Sequence, residues 1–339
     1  EGSREAEEPG VQVKECATDK IAGTVWEGTR GKETGYAVGA PLGQTGEQAE
    51  KYLDACFHTI SDAILTAAVD NLKDDSWGQT EMKKQEVLVR LPVRVNWGGG
   101  WSDTPPYCME HGGTVLNAAV LLDGNCPVEA VARQMKGNRI VLASDDSGAR
   151  QEFTDVARLQ DSSNPYDPYA LHKAALIACG IIPYREVVPM EEITGKLGGG
   201  LYLSTQVVNI PRGSGLGTSS ILAGACVKAL YEILGRELSE EELYQRVLCM
   251  EQLMSTGGGW QDQVGGLTPG IKMITSKAGI RQKISCTHCR ISLETMEELE
   301  RRFCLIYSGQ RRLARNLLRD VVGRYVGGVR EAVDVLYEI

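Results

Sequence analysis

The residues best suited to chemistry lie in one short stretch, residues 211–220, which reads Pro-Arg-Gly-Ser-Gly-Leu-Gly-Thr-Ser-Ser. Its three glycines, Gly213, Gly215 and Gly217, let the backbone adopt positive φ and approach a ligand closely. Backbone N–H groups at such a turn, with the positive end of a following helix, form a site for an anion. A plain strand-to-helix turn would need one glycine, so the stretch predicts a phosphate-binding loop whose final hydroxyls can bind phosphate or Mg²⁺.

Two familiar phosphate loops do not fit this stretch. A Walker A loop ends in Gly-Lys-Ser/Thr, and residues 211–220 contain no lysine. The dinucleotide-binding fingerprint is Gly-x-Gly-x-x-Gly, whereas these glycines follow Gly-x-Gly-x-Gly. The loop is therefore of another type.

Two further stretches place charged residues beside glycine turns. Upstream, Arg94 is followed nine residues later by Asp103, and Trp101 follows a Gly-Gly-Gly triplet between them. Arginine stays protonated and offers a rigid fork of donors, and a carboxylate accepts hydrogen bonds from hydroxyl groups. Downstream, Glu251 and Asp262 are eleven residues apart and flank another Gly-Gly-Gly turn. An unperturbed aspartate is ionised at neutral pH, so these stretches supply an arginine and carboxylates that can accept a proton or a hydrogen bond.

The elements that must position these residues follow from the apolar pattern. Alternating apolar residues predict strands, and apolar residues at helical spacing predict helices. The predicted strands are 86–95, 114–122, 127–133, 139–143, 201–210 and 303–308. The predicted helices are 47–73, 167–179, 218–234, 239–255, 293–302, 311–325 and 328–339, and a glycine- and proline-rich turn is predicted after Asp262. Because strands and helices mix without regular βαβ alternation, we expect an α+β fold.

Composition narrows the classes of protein to consider. Of the 339 residues, 42% are apolar and 24% charged, which is typical of a globular protein large enough to fold without disulfides. The net charge of −9 argues against nucleic-acid binding, and no apolar run is long enough to span a membrane. The acidic first residues are unlike a signal peptide. We therefore expect a cytoplasmic protein without nucleic-acid or membrane partners.

The ten cysteines and four histidines show no metal-binding spacing. Cys286 and Cys289 form a CxxC pair, but a second such pair is missing from the sequence. We interpret this pair as chance spacing, and the remaining cysteines as reduced residues of the core and surface.

Taken in order, the three glycine-rich stretches resemble the motifs of the GHMP kinase superfamily over roughly residues 86–325. The resemblance implies a GHMP kinase fold, with an N-terminal domain like domain 2 of ribosomal protein S5 and a ferredoxin-like C-terminal domain. We accordingly divide the chain into a linker with an amphipathic helix (1–84), the ATP-binding domain (85–265) and the start of the C-terminal domain (266–339).

The resemblance also implies a role for each candidate residue. Asp262 would be the base facing the acceptor hydroxyl, and Arg94 would stabilise charge near the transferred phosphoryl group. Asp103, with Trp101 and Gly259, would bind the sugar. The residues implied to bind ATP are Pro211, Arg212, Gly213, Ser214, Gly215, Leu216, Gly217, Thr218, Ser219 and Ser220. The residues implied to bind Mg²⁺ are Ser219 and Glu251.

Two of these assignments have plainer alternatives. Glu251 fits a solvated charge at a helix end about as well as a metal ligand. Trp101 and Trp260 fit core positions beside the turns about as well as a sugar-binding surface, although an indole face packs well on the apolar side of a sugar.

Within the superfamily, the amino acids at residues 101–106, 213–220, 256–272 and 307–318 look most like those of the L-fucokinase branch. This implies transfer of a phosphoryl group from ATP to L-fucose, giving L-fucose 1-phosphate on a salvage route to GDP-fucose. It also implies a fused or associated fucose-1-phosphate guanylyltransferase domain. The alternatives are a heptose or heptose-phosphate kinase of the same superfamily, and a non-catalytic sensor of sugar and nucleotide. The family's third glycine-rich motif is not found after Gly309, so we expect a fragment whose C-terminal domain is truncated.

Overall fold

The computed structural model describes residues 65, 66, 68, 69, 81–164, 166–211, 213–254, 258–279, 282–307, 309, 321–325 and 328–339. Most of the predicted helices 47–73 and 311–325 lies outside the described residues, as does Arg212 of the predicted loop. Residues 65, 66, 68 and 69 and residues 321–325 are helical.

The described strands and helices follow one another without a regular alternation, which confirms the α+β prediction. The strands are β1 (Glu86–Leu91), β2 (Val93–Gly98), β3 (Gly113–Val120), β4 (Val128–Met135), β5 (Ile140–Ser144), β6 (Ala149–Phe153), β7 (Gly200–Val207), β8 (Ile271–Ser276) and β9 (Ile284–His288). The helices are α1 (Tyr107–His111), α2 (Ala157–Gln160), α3 (Ala170–Ala178), α4 (Met190–Leu197), α5 (Thr218–Ile233), α6 (Glu240–Leu253), α7 (Gln261–Leu267), α8 (Leu293–Arg302) and α9 (Arg330–Glu338).

The strands form two sheets. The larger sheet has the order β1-β4-β7-β5-β6, in which β5 and β7 are parallel and the other neighbours antiparallel. The smaller sheet has the order β2-β3-β8-β9 and is antiparallel throughout. α5 lies between them in the fold, because it packs against β1 and β4 of the larger sheet and against α7, which in turn packs on β2 and β3 of the smaller one.

The predicted single strand 86–95 is wrong in one respect, because it is two strands in two different sheets. β1 ends at Leu91 and β2 begins at Val93, with Pro92 between them. Proline has no N–H to donate to a ladder, so pairing is interrupted there. The alternation of apolar residues continues across the break, which is why the pattern alone suggested one strand.

The predicted strand 303–308 is also wrong. Residues 303–307 form no strand, and the side chains of Leu305 and Ile306 are exposed. Apolar residues favour a strand only where a neighbouring strand supplies hydrogen bonds. Here the segment simply follows α8, and Phe303 lies edge-on to Trp97 of β2.

The predicted turn after Asp262 is present but short, because it is confined to residues 268–270, and the helix and two strands that also lie within residues 261–288 were not predicted. α7 carries Asp262, and β8 and β9 extend the smaller sheet beside β3. Gly265 and Gly266 favour a turn by local propensity, but within α7 they allow close packing. The division of the chain at residue 265 stays a prediction.

The other predicted elements that lie within the described residues are confirmed, in particular α5, which follows the glycine loop. Most of its side chains are buried, and Leu253 and Val247 of α6 complete the core around it. Ser239 caps α6 by accepting a hydrogen bond from the Glu242 N–H, as the sequence pattern predicts. None of the helices described has both the length and the apolar character needed to cross a lipid bilayer.

Candidate active site

The glycine loop has the backbone that the sequence predicts. Gly213, Gly215 and Gly217 have φ values of +75°, +80° and +71°, and Gly217 is the N-cap of α5. The first N–H groups of a helix have no partners within the helix. Among the described residues no side chain caps α5, and its first turn carries no acidic residue. The loop and the helix start therefore present backbone donors to an anion.

Arg94 and Asp262 form an ion pair, although they lie 168 positions apart in the sequence. Arg94 projects from β2, and Asp262 lies in the first turn of α7. The Asp262 Oδ1 atom accepts from Arg94 Nε at 2.9 Å and also from Nη2. The two side chains are 12% and 28% exposed, so the pair is partly open to solvent. A charge-assisted contact of this kind fixes the orientation of the carboxylate.

The glycine loop ends against this ion pair. A side-chain carbon placed on Gly217 would lie 2.9 Å from Arg94 Nε and 3.1 Å from Asp262 Cβ. The left-handed backbone at Gly217 is one reason for glycine there, and this close approach is a second. The structure thus brings the predicted anion site and the predicted base into direct contact.

Asp103 lies behind this site and is fully buried. Its Oδ2 accepts from the backbone N–H of Gln261 at 2.9 Å, while its Oδ1 has no hydrogen-bond partner among the residues described. Burial raises the pKa of Asp103 to about 7, and the negative charge of Asp262 adds to the effect. Gly259 covers the carboxyl group, because a side-chain carbon placed there would lie 2.1 Å from Oδ2.

The two tryptophans of the motifs lie in different environments. Trp260 is fully buried, and its ring lies so close to Gly113 that a side-chain carbon there would be 2.8 Å from Cζ2. Trp260 therefore fills the core, as the plainer interpretation holds. Trp101 is partly exposed and has a φ of +78°, which is uncommon for a bulky residue. Its proposed contact with a sugar stays a prediction.

Glu251 lies near the end of α6 and is only 4% exposed. Its Oε1 accepts a hydrogen bond of 2.5 Å from the Ser220 hydroxyl, in the first turn of α5. The interpretation of Glu251 as a solvated helix-end charge is therefore wrong. Ser219, the other predicted metal ligand, is exposed beside Ser220.

The oxygen donors of Ser219 and Glu251 are of the type that Mg²⁺ prefers. In the part of the chain that the structure describes, no three His, Cys, Asp or Glu side chains cluster as metal ligands. A nucleotide-bound Mg²⁺ usually takes only one or two protein ligands beside phosphate and water. The donor atoms of the two residues are of a suitable type, and their binding of Mg²⁺ stays a prediction.

Sequence reasoning missed three residues that surround the ion pair. Asn96 Nδ2 donates to Gln261 Oε1 at 2.7 Å, and Asn117 Nδ2 donates to the Gln261 carbonyl oxygen at 3.3 Å. Asn96 follows Arg94 by two positions on β2, so the period of a strand places both on one face. From that spacing Asn96 could have been predicted as a site residue. No comparable signal in the sequence points to Asn117.

Comparison with known proteins supports the resemblance. Residues 188–269 match the family described as GHMP kinases N terminal domain. The chain is 42% identical over 238 residues to a bifunctional fucokinase/GDP-fucose pyrophosphorylase of Arabidopsis thaliana. It is 39% identical over 272 residues to an L-fucokinase/L-fucose-1-P guanylyltransferase of Bacteroides fragilis. These alignments cover 70% and 79% of this chain but 22% and 28% of the two relatives, so the chain spans about a quarter of their length.

Two proteins of lower sequence identity are covered over a larger share of their own length. A D-glycero-alpha-D-manno-heptose 7-phosphate kinase of Campylobacter jejuni is 25% identical over 255 residues, covering 75% of this chain and 68% of the relative. Among solved structures, a Lin0012 protein from Listeria innocua has a TM-score of 0.51 at 10% identity, covering 74% of this chain and 69% of its own. A likeness at this identity shows the fold alone.

Proposed function

Because this chain contains a GHMP kinase N-terminal domain, we propose that it is the ATP-binding and catalytic part of a sugar kinase that phosphorylates the anomeric hydroxyl of L-fucose. One observation carries the proposal: Gly217, the last glycine of the anion loop, lies against the Arg94–Asp262 pair. Phosphoryl transfer depends mainly on positioning and on stabilising charge. A loop for the phosphates that ends at a reachable carboxylate and arginine meets both needs.

In the proposed reaction one bond to phosphorus forms, one bond to phosphorus breaks, and one proton moves. The acceptor oxygen attacks the γ-phosphorus of ATP, the bond from that phosphorus to the β–γ bridging oxygen breaks, and ADP leaves. Asp262 takes the proton of the acceptor hydroxyl. Within the described residues, Asp262 Oδ2 accepts no hydrogen bond from the protein, so we assign it to this hydroxyl.

Arg94 has two roles in this proposal. By donating twice to Asp262 Oδ1 it fixes the carboxylate, and its positive charge lies beside Gly217, where the transferred group would pass. A fixed cation near developing charge lowers the barrier without reorganisation during the reaction.

Ser219 and Glu251 would hold Mg²⁺ in the proposed site. The ion, when bound, neutralises charge on the phosphates of ATP. Glu251 accepts from Ser220, so its carboxylate is already fixed at the start of α5. The loop residues from Gly213 to Thr218 would bind the phosphates through their backbone N–H groups.

For the sugar, we assign Asp103, Trp101 and Gly259. The Oδ1 atom of Asp103 has no partner among the described residues and suits a sugar hydroxyl. Because Gly259 covers this carboxyl group, the proposal requires the segment at Gly259 to shift when the sugar binds. Trp101 would then offer an indole face to the apolar side of the sugar.

L-Fucose is proposed over a heptose because the two fucokinase relatives are 42% and 39% identical, against 25% for the heptose 7-phosphate kinase. Both fucokinase relatives also carry, by name, a second activity, which is a GDP-fucose pyrophosphorylase in one and an L-fucose-1-P guanylyltransferase in the other. We therefore propose a fused or associated guanylyltransferase that consumes L-fucose 1-phosphate. The cytoplasmic location and the GDP-fucose salvage route stay predictions.

The test is ADP release by the complete polypeptide that contains this chain, with L-fucose, a free heptose and a heptose 7-phosphate as acceptors. We expect turnover with L-fucose. Turnover confined to a heptose or its phosphate would favour the alternative kinase, and binding of ATP without turnover on any sugar would favour the sensor.

Asp262→Asn is the first predicted variant. It removes the base and keeps the shape of the side chain, so kcat should fall about 10²- to 10⁴-fold while ADP binding is unchanged. Asp123→Asn is the matched control, because Asp123 is exposed and has a φ of +49° that asparagine also tolerates. An Asp262→Asn enzyme with wild-type kcat would show that this carboxylate is not the base.

A further inference from the structure

Gln261, the residue immediately before Asp262, is held at three points. Its backbone N–H donates to Asp103 Oδ2 at 2.9 Å, its Oε1 accepts from Asn96 Nδ2 at 2.7 Å, and its carbonyl oxygen accepts from Asn117 Nδ2 at 3.3 Å. One residue at the start of a seven-residue helix is thus bonded to three different segments of the chain. Helix formation alone needs none of these contacts.

The three partners form a rigid support. Asn96 and Asn117 are paired across β2 and β3, and Asn117 and Asp103 are fully buried. Arg94, two positions before Asn96 on β2, binds Asp262. Two successive residues of α7, Gln261 and Asp262, are therefore bonded to alternate residues of one strand.

The far end of α7 is fixed by a different kind of contact. Leu267 packs against Gly224 of α5, and Gly266 packs against Ile221; a side-chain carbon on either glycine would lie 2.4 Å from its neighbour. These contacts are apolar and close. The near end of α7, which carries the carboxylate, is held instead by hydrogen bonds, which depend on direction as well as distance.

We propose that Gln261 is a positioning residue that, through Asn96, Asn117 and Asp103, fixes the start of α7 so that the Asp262 carboxylate stays opposite Gly217. The inference rests on the proposed function. Reacting groups must be held in register, and a displacement of about 1 Å can cost on the order of 10²-fold in rate. The hydrogen bonds that the structure describes for Gln261 go to these three residues and not to the glycine loop.

The test is a double-mutant cycle with Asn96→Ala and Gln261→Leu in the complete polypeptide, assayed with L-fucose and ATP. Each single variant should lower kcat about 10- to 100-fold with the KM for ATP nearly unchanged. Because both variants break the same hydrogen bond, the double variant should lose little more than either single one. ADP titration counts the folded sites, so that kcat is expressed per folded molecule.

Gln160→Leu is the matched control. Gln160 is also an anchoring glutamine, since its Nε2 donates to the carbonyl oxygens of Pro183 and Glu186, but it lies on α2 away from the site. Its loss should lower the melting temperature and leave kcat per folded site unchanged.

The outcomes separate the two proposals. Suppose that the wild type is active. If the Gln261→Leu variant then keeps its kcat, or if the effects of the two substitutions multiply, only the positioning role is overturned. A wild type that transfers phosphate to none of the sugars overturns the proposed function and this inference with it.

Discussion

At the scale of single residues, the site depends on how closely the backbone at Gly217 approaches the side chains of Arg94 and Asp262. Gly217 has two properties that an alanine lacks: it adopts a φ of +71°, and it leaves room for Arg94 and Asp262. These two requirements can be separated by experiment, because the chain contains glycines that meet only the first.

Gly217→Ala should lower kcat on the order of 10²-fold, because the added carbon displaces the ion pair. Gly180→Ala is the control: Gly180 has the same φ of +71°, but a side-chain carbon there would meet no atom within 4 Å. Both variants should lose about 1 kcal/mol of stability from backbone strain. Steady-state kinetics and urea unfolding measure the two effects, and equal kcat values for the two variants would contradict the proposed crowding.

At the scale of elements, α7 is short and rich in glycine, yet it carries the proposed base. Its C-terminal end is held by Lys272 of β8, whose ammonium group is fully buried. Lys272 Nζ donates to the carbonyl oxygens of Gly265 at 2.6 Å and Gly270 at 3.1 Å, and also to that of Thr268. Burial lowers the pKa of Lys272 to about 8, but these carbonyl groups favour a positive charge at the helix end.

Lys272→Met should destabilise the fold, because it leaves buried carbonyl groups without a donor. The expected loss is about 2–3 kcal/mol of unfolding free energy, measured by urea denaturation at pH 7. Lys277→Met is the matched control, since Lys277 is exposed five positions further along the chain. If the two variants are equally stable, Lys272 does not support α7.

At the scale of the whole molecule, the candidate site lies where the two sheets are joined through α5 and α7. This junction buries Asp103, and its pKa of about 7 couples folding to pH. The folded protein binds this proton more tightly than the unfolded chain, whose aspartates titrate near pH 4. The stabilisation from this group is therefore complete at low pH and is lost as pH rises through 7.

Asp103→Asn should remove this pH dependence. The unfolding free energy of the wild type minus that of the variant should fall by about 3–4 kcal/mol between pH 4 and pH 8. His172, whose pKa burial lowers to about 4, changes stability in the opposite direction over the same range, but it contributes equally to both proteins and cancels in the difference. Urea denaturation across this range gives the comparison, and a constant difference would mean that Asp103 is ionised in the folded protein throughout.

The residue types and their spacing in the sequence were sufficient to predict the glycine loop and the charged residues on either side of it. Three glycines at alternate positions permit positive φ without steric cost, and the helical apolar spacing of residues 218–234 predicts a helix directly after them. The irregular mixture of predicted strands and helices predicted the α+β class, and the order of the motifs predicted the candidates Arg94, Asp103, Glu251 and Asp262. These are properties of neighbouring residues, which a sequence displays directly.

Contacts between distant residues were decided only in the tertiary structure. The sequence does not show that Gly217 touches Arg94, that Ser220 binds Glu251, or that Asn117 supports Gln261, because nothing local depends on those pairs. The same holds for β8, whose short apolar run becomes a strand because β3 offers it a partner. Strand pairing and close packing are favourable only once both surfaces are present, so they belong to the folded molecule rather than to any one segment.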